Sequence, residues 1–296
     1  SKYSIKYCTY YNFKSIKHNI FLLNWLTLLF ILVIAMIIIG GITRITDSGL
    51  SMVEWRPFLG FLPPLSNQEW DRVFDLYKNT PEYSYYNKGM LLSEFKFIFF
   101  WEYFHRLWGR IIGIVFIIPF VYLIFTKKIE RFVTERLLII LFFGSLQAFI
   151  GWWMVKSGLI DKPDVSQYRL AIHFGNSLLI LFLLFWLILD LKNKKSKVKF
   201  DLNLIIFLIL FVTIIAGSLV AGMDAGLMYN TYPLMNDSFF PIDYLSLGFL
   251  DPFENPGSAQ FHHRHLGLIS LIAIGIFFVK NFNKKEVLFE LYILII

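Results

Sequence analysis

Cysteine and charge are both scarce in this chain. Its 296 residues include one cysteine, Cys8, which excludes an internal disulfide and a thiolate metal cluster. Any redox chemistry must therefore come from a bound cofactor. Charged residues make up 17% of the chain against 57% hydrophobic residues, and the mean hydropathy is +0.60. A soluble core of this size does not account for these values, which are typical of a protein that crosses a membrane several times.

Six apolar runs have the length that a helix needs to cross the hydrocarbon of a bilayer, about 20 residues. They are residues 20–42, 97–125, 137–155, 170–189, 202–221 and 259–279, and residues 287–296 resemble the start of a seventh. The first run is too long for the core of a signal peptide. We therefore predict an all-α integral membrane protein.

Basic residues are unevenly divided between the two sides of the predicted spans. The segments predicted to lie outside, 43–96, 156–169 and 223–258, carry nine Lys and Arg against fourteen Asp and Glu, and the inside segments carry sixteen against six. Positive residues stay on the side from which helices insert. The N-terminus is therefore predicted on the cytosolic or matrix side. Because the net charge of +7 follows this division, we expect the lipid bilayer, and no nucleic acid, as a partner.

Few charged side chains lie within the predicted spans. Glu102 is the one carboxylate there, and Arg106, Arg110 and Arg264 lie in spans or at their ends. Such groups are costly in hydrocarbon unless they are paired or functional. Glu102 stands three residues before His105 and so shares its helix face, about 5–6 Å away. It could orient the imidazole or act on a substrate.

Three histidines lie near the outer ends of predicted spans. His105, His173 and His263 are on the second, fourth and sixth spans, which run in the same direction, so their rings lie at similar depth. His262 and His265 flank His263, but a helix turns by about 100° per residue, so only one of the three faces a given point. Two imidazoles at matched depth suit the two faces of a heme iron. Alternatively, each histidine could be a buried residue that only forms a hydrogen bond to a neighbouring hydroxyl or carbonyl. A zinc site is disfavoured because the spans supply no thiolate.

The arginines also allow two interpretations. Arg106, Arg110 and Arg264 could pair with heme propionates at the outer surface through charge-assisted hydrogen bonds. Alternatively, their side chains could extend to lipid headgroups.

The chain contains an internal repeat. Residues 102–109, Glu-Tyr-Phe-His-Arg-Leu-Trp-Gly, align without a gap with residues 260–267, Gln-Phe-His-His-Arg-His-Leu-Gly, and the preceding spans match loosely from Ile38 and Ile214 onward. A tandem repeat of a four-helix transmembrane bundle is therefore predicted.

The predicted halves are residues 1–195, which include the outer loop 43–96, and residues 196–296. The second half is expected to be incomplete, because the partner of His263 would lie on an eighth span. His263 corresponds to His105, and Gln260 stands where the first half has Glu102. That difference favours the first half as the place of any chemistry that needs a carboxylate.

The outer loop of the first half contains a helix signal. Ser66 and Glu69 have the spacing of a capping box, and Trp70, Phe74 and Tyr77 follow at helical spacing. The segment is predicted to be an amphipathic helix, either on the membrane surface or packed as a lid on the bundle.

At these residues the chain resembles the heme A synthases of proteobacteria and mitochondria. The resemblance runs from Gly40 to about Gly267 and rests on GGITRITDSGLSMVEWRP, EFKFIFFWEYFHRLWGRIIG, GWWMVKSGL, AGMDAGLMYNTYPLM and QFHHRHLG. The lack of cysteine pairs in the outer loops matches the alphaproteobacterial and mitochondrial class.

This resemblance implies an eight-span protein that oxidises the C8 methyl of heme O to the formyl group of heme A for cytochrome oxidase. His105 and His173 would bind the substrate heme, Glu102 would be catalytic, and His263 would hold one side of a heme b. Heme O synthase and the cytochrome oxidase assembly machinery would be partners, and a homo-oligomer is also allowed. The membrane would be a bacterial plasma membrane or the mitochondrial inner membrane. The alternatives are a bis-histidine b-type cytochrome that only transfers electrons and a heme-binding assembly factor.

Overall fold

The structure is a computed structural model that describes residues 2–54, 61–159, 165–192 and 201–281. In these ranges the chain is helical and forms no β-strand beyond one isolated bridge between Met235 and Ser238. The helices are α1 (Lys2–Ile45), α2 (Asn67–Lys78), α3 (Pro81–Tyr85), α4 (Leu92–Phe125), α5 (Arg131–Gly158), α6 (Gln167–Leu191), α7 (Leu202–Gly222), α8 (Asp251–Glu254) and α9 (Pro256–Asn281).

Six of these helices are long and apolar enough to cross a membrane. Their spans are Ile20–Ile45, Leu92–Phe125, Arg131–Gly158, Gln167–Leu191, Leu202–Gly222 and Pro256–Lys280. Each contains one of the six predicted runs, so the prediction of an all-α integral membrane protein is confirmed. Helices suit this environment because their backbone hydrogen bonds are satisfied within one segment. The predicted start of a seventh span, 287–296, lies outside the described residues.

The chain forms two compact units. The first comprises Ser1–Val165 with Ile172–Ser196, and the second comprises Ser166–Ala171 with Lys197–Ile296. These units are defined by contacts, whereas the predicted halves 1–195 and 196–296 rest on sequence repetition and stay a prediction.

The first unit has an apolar core to which α1, α4, α5 and α6 all contribute. Its most deeply buried members are Leu26, Leu29, Phe120, Leu123, Leu137, Leu184 and Leu187. They lie toward the ends of the helices that are remote from the loop between α1 and α4. In lipid such a core stabilises by close packing rather than by exclusion of water. The opposite end of the bundle, next to the loop between α1 and α4, is where the polar side chains lie.

Helices α1 and α4 are also joined by indole hydrogen bonds. Trp25 Nε1 donates to the carbonyl of Val115 at 2.8 Å, and Trp108 Nε1 donates to the carbonyl of Leu32 at 3.0 Å. An indole N–H in an apolar setting needs such an acceptor. The two bonds fix how α4 is placed against α1.

The predicted amphipathic helix of the outer loop is α2. Ser66 Oγ accepts from the Glu69 amide at 3.2 Å, and the Glu69 carboxylate accepts from Arg72. The apolar face of α2 packs on the first turns of α4, with the rings of Phe74 and Phe95 4.9 Å apart. This loop helix is therefore a lid on the bundle.

The second unit is built on α7 and α9. Ile206 of α7 packs with Ala273 and Phe277 of α9, and the hydroxyls of Thr213 and Ser270 bond at 2.7 Å.

The loop between these two helices is held by Asp251. Its carboxylate accepts from the amides of Leu245 at 2.9 Å and Leu247 at 3.2 Å. Burial opposes ionisation of Asp251, but hydrogen bonds from these two amides and from Asn255 outweigh it and hold the pKa of the carboxyl below its ordinary value.

Candidate functional site

His105 lies on α4 with the edge of its ring against α1. A Cβ built on Gly40 of α1 would lie 2.9 Å from Cε1 of His105 and 3.4 Å from its Nδ1. Real Cβ atoms essentially never come so close to another atom, so a side chain at Gly40 would displace the ring. Glycine permits this approach of the imidazole to the backbone of the next helix.

The other two candidate ligands meet a glycine in the same way. A Cβ on Gly151 of α5 would lie 3.0 Å from Cε1 of His173 on α6, and a Cβ on Gly217 of α7 would lie 2.9 Å from Cε1 of His263 on α9. In each case the glycine is on the span that precedes the histidine. Hydropathy does not reveal this pairing, because it depends on how each helix is rotated.

These glycines correct the alignment of the two repeats. The sequence comparison placed Ile38 beside Ile214, which sets Gly41 against Gly217. The structure shows Gly40 and Gly217 in the same role, which moves the register by one residue. In the corrected register Asp47 falls on Asp224 without a gap, and both adopt left-handed backbone, at φ 46° and φ 52°.

Each of the three rings has a buried nitrogen that lacks a hydrogen-bond partner among the described residues. It is Nδ1 in His105, His173 and His263. Buried polar atoms are rarely left in this state unless a ligand or water satisfies them. An iron would take one nitrogen of each ring, so the lack of a partner at Nδ1 does not by itself identify the ligating atom. The imidazole donors and the tight glycine contacts fit a flat metal-binding group such as a heme.

His105 and His173 belong to the first unit, and His263 belongs to the second. The structure thus places two of the predicted ligands in one unit. Of the residues that flank His263, His265 Nδ1 lies 2.8 Å from the carbonyl of Phe261 in its own helix.

Glu102 is buried at 3% exposure and holds the loop that follows α1. One carboxylate oxygen accepts from Ser51 Oγ at 2.6 Å and from the Met52 amide at 2.7 Å. The other is paired with Arg106, whose guanidinium also donates to the Met52 carbonyl at 3.3 Å. The sequence predicted that Glu102 shares a helix face with His105, but it gave no sign of this attachment to the loop.

Gln260 holds the equivalent loop in the second unit. Its Oε1 accepts from the Tyr229 amide at 3.1 Å, and its Nε2 donates to the carbonyls of Tyr229 at 3.0 Å and Gly226 at 2.9 Å. Arg264 donates to the Tyr229 carbonyl and to that of Thr231 at 2.8 Å. Met52 and Tyr229 are equivalent in the corrected register. The pair Glu102–Arg106 and the pair Gln260–Arg264 therefore bind the loop backbone at equivalent residues of the two units.

A cavity of about 340 Å³ lies beside the loop of the first unit. Its lining includes Ser51, Glu54, Arg72, Arg106 and Arg110, and none of the histidines. The Arg110 guanidinium lies 5.5 Å from the centre of the Phe61 ring. Hydrogen bonds to Glu69 and then Glu54 raise the pKa of Arg72 above its ordinary value.

Two amide side chains near His173 were missed by the sequence reasoning. Gln147 of α5 donates from Nε2 to the His173 carbonyl at 3.0 Å and lies 3.3 Å from the ring Nε2. Asn176 of α6 donates to Gln147 Oε1 at 2.7 Å. The available signal was the presence of uncharged polar residues inside apolar spans.

Within the described ranges, no group of three or more His, Cys, Asp and Glu side chains is arranged to hold a metal ion. A heme differs because its macrocycle supplies most of the ligands and the protein adds only axial ones. A pair of imidazoles is therefore sufficient for a heme.

Comparison with known proteins identifies the family. A family model described as cytochrome oxidase assembly protein matches residues 23–295. The heme A synthase of Nitrosospira multiformis is 45% identical over 267 residues, 87% of this chain and 75% of the relative. That of Wolbachia pipientis subsp. Culex pipiens is 44% identical over 280 residues, 92% of this chain and 85% of the relative. The Pelagibacter ubique protein of the same name is 43% identical over 274 residues, 90% and 82% of the two chains. No solved structure matches the chain. The chain belongs to the heme A synthase family of cytochrome oxidase assembly proteins.

Proposed function

We propose that this chain is a heme A synthase, an oxidoreductase that converts the C8 methyl of heme O into the formyl group of heme A. The observation that carries the proposal is the pair His105 and His173. Both rings are packed on a glycine of the preceding span, which sets the position of each ring edge. Family membership supports the same reaction.

The two histidines would bind the substrate heme from opposite faces. Each ring edge is fixed by Gly40 or Gly151, so the imidazole planes are held before the heme enters. Preorganisation of this kind lowers the entropy cost of placing the reacting methyl. Conversion of the methyl to the formyl group removes four electrons from the substrate and adds one oxygen atom, so the reaction needs an external electron acceptor. Two successive hydroxylations of the carbon would give a gem-diol, which loses water to form the aldehyde.

Glu102 is proposed as the catalytic carboxylate. It lies one helical turn from His105, and its position is fixed by Ser51, the Met52 amide and Arg106. A fixed negative charge can stabilise a cationic carbon or accept its proton. The uncharged Gln260 at the equivalent place cannot, which supports placing the chemistry in the first unit.

His263 is proposed as a residue that would hold a heme b in the second unit. When bound, that heme supplies electron transfer. The contact with Gly217 fixes the ring in the manner seen for His105.

Arg106, Arg110 and Arg264 are proposed to form ion pairs with heme propionates. Arg106 and Arg110 line the cavity of the first unit, where a carboxylate could join them. Arg264 is engaged with the loop carbonyls of Tyr229 and Thr231, so it would act on a propionate only with its remaining N–H groups.

Location and partners are proposed from the charge distribution and from membership of the family. Membership of the family supports a bacterial plasma membrane or mitochondrial inner membrane. The distribution of Lys and Arg supports an N-terminus on the cytosolic or matrix side. The substrate would come from heme O synthase, and the product would go to cytochrome oxidase assembly.

One observation favours the bis-histidine cytochrome as a second candidate. Because Glu102 has a structural task in holding the loop, its presence in a span does not by itself require catalysis. Heme analysis separates the two functions. Membranes that contain this chain and a heme O supply should yield heme A by chromatography, and a His105→Ala variant should yield none. Heme b without heme A would favour the cytochrome.

A further inference from the structure

Gln147 lies where a hydrogen bond and an iron would compete for the same atom of His173. Its Nε2 is 3.3 Å from Nε2 of His173 and 3.0 Å from the carbonyl of the same residue. We propose that Gln147 is a positioning residue that binds the lone pair of His173 when heme is absent and so speeds the release of heme from this ligand. The inference rests on the proposed role of His173 as a heme ligand.

The orientation of both amides follows from carbonyl groups, which only accept hydrogen bonds. Asn176 Nδ2 donates to the Phe143 carbonyl at 3.0 Å and to Gln147 Oε1 at 2.7 Å. Gln147 Nε2 donates to the His173 carbonyl. The NH₂ group of Gln147 therefore faces His173, and its oxygen faces Asn176.

This orientation determines the tautomer of His173. The Gln147 nitrogen carries only donors, so Nε2 of the ring must accept and its proton lies on Nδ1. Nδ1 is the ring nitrogen with no partner among the described residues. The lone pair that Gln147 occupies is thus the one that this tautomer would offer to iron. One lone pair cannot serve both, so heme binding must break the hydrogen bond.

The arrangement suits a ligand that must be exchanged. An enzyme whose substrate and product are both hemes has to release one before it binds the next. A competing internal hydrogen bond weakens the ligand without distorting its position, because Gly151 still fixes the ring edge. In the described part of the chain, no amide side chain bonds the ring of His105 or His263. The exchangeable ligand would therefore be His173.

The test measures heme loss rather than activity. The full chain carrying His263→Ala, in detergent and loaded with ferric heme b, would be mixed with excess apomyoglobin, and heme transfer would be followed by absorbance. The competing bond is a single neutral hydrogen bond, so Gln147→Leu should slow heme loss by about 3- to 10-fold. The bis-imidazole absorption spectrum should stay unchanged. Phe142→Leu, at an exposed position on the same helix, is the matched control and should leave the rate at the parent value.

A second variant guards against misfolding. Gln147→Met has the length of glutamine and no donor, and it should slow heme loss by a similar factor. An unchanged or faster rate in the variant that folds would overturn the inference. His173→Ala should speed heme loss, and in that background Gln147→Leu should no longer change the rate, as a double-mutant cycle requires. If His173→Ala changes neither the spectrum nor the rate, the proposed heme site itself is wrong and the inference falls with it.

Discussion

Glu102 and Gln260 show how one substitution can separate two roles of a side chain. Both accept a hydrogen bond from an equivalent loop amide, of Met52 in one unit and Tyr229 in the other. Holding the loop therefore does not need a charge. The negative charge is the property that only Glu102 adds, and it is the part available for chemistry.

Glu102→Gln tests that separation. The glutamine should hold the loop as Gln260 does, so heme binding should persist. Formation of the formyl group should fall by about 100-fold or more, since removal of one preorganised electrostatic group has this effect in other enzymes. Heme A yield and the heme absorption spectrum are the two measurements. Ser51→Ala, which removes one hydrogen bond and keeps the charge, should lose much less activity. Wild-type yields of heme A in Glu102→Gln would contradict the catalytic assignment.

The glycine contact of His105 has a matched control in the adjacent residue. A Cβ on Gly40 would meet His105 at 2.9 Å, whereas a Cβ on Gly41 would meet nothing within 4 Å. Overpacking by one methyl costs about 1–3 kcal/mol. Gly40→Ala should therefore weaken ferric heme binding by about 5- to 100-fold, and Gly41→Ala should not. Titration in a His263→Ala background measures both, and equal affinities would show that the contact is not needed.

Among the elements, the spans were predictable and their rotation was not. The apolar runs specify six helices by length alone, and each run lies inside a helix of the structure. Which face of α1 meets His105 depends on the close approach at Gly40, and hydropathy carries no such information. The partners of Glu102 were hidden for a similar reason. Ser51 and Met52 are distant in sequence and reach it through the fold of a loop.

The loop of the second unit depends on one carboxylate, Asp251. Its folded pKa is below the ordinary value, so the ionised form stabilises the loop. That contribution is present above the unfolded pKa of about 4 and is lost as the pH falls through the lower folded value. Asp251→Asn should destabilise the loop by about 1 kcal/mol. Limited proteolysis between Leu227 and Pro256 should be faster in the variant at pH 7, and acidification below pH 4 should speed cleavage of the wild type more than of the variant. Identical cleavage rates of the two at pH 7 would exclude this role.

At the scale of the whole molecule, the two units repeat one construction. Each has a span with a glycine, a left-handed aspartate in the turn that follows, and a span whose histidine meets that glycine. The sequence revealed the repeat through the shared His-Arg and Gly of residues 102–109 and 260–267. The correct register needed the structure, because a loose match tolerates a shift of one residue.

The orientation of the chain in the membrane can be tested with its own single cysteine. The inside segments carry sixteen Lys and Arg against six acids, which predicts that Cys8 faces the cytosol or matrix. A membrane-impermeant maleimide should therefore label Cys8 in inside-out vesicles and not in right-side-out vesicles. Asn230→Cys in a Cys8→Ser background places a thiol in the loop between α7 and α9, which has no Lys or Arg and is predicted to lie outside. It should show the opposite pattern. Labelling of both positions from the same side would overturn the predicted topology, because the helices between them would then have to include one that does not cross the membrane.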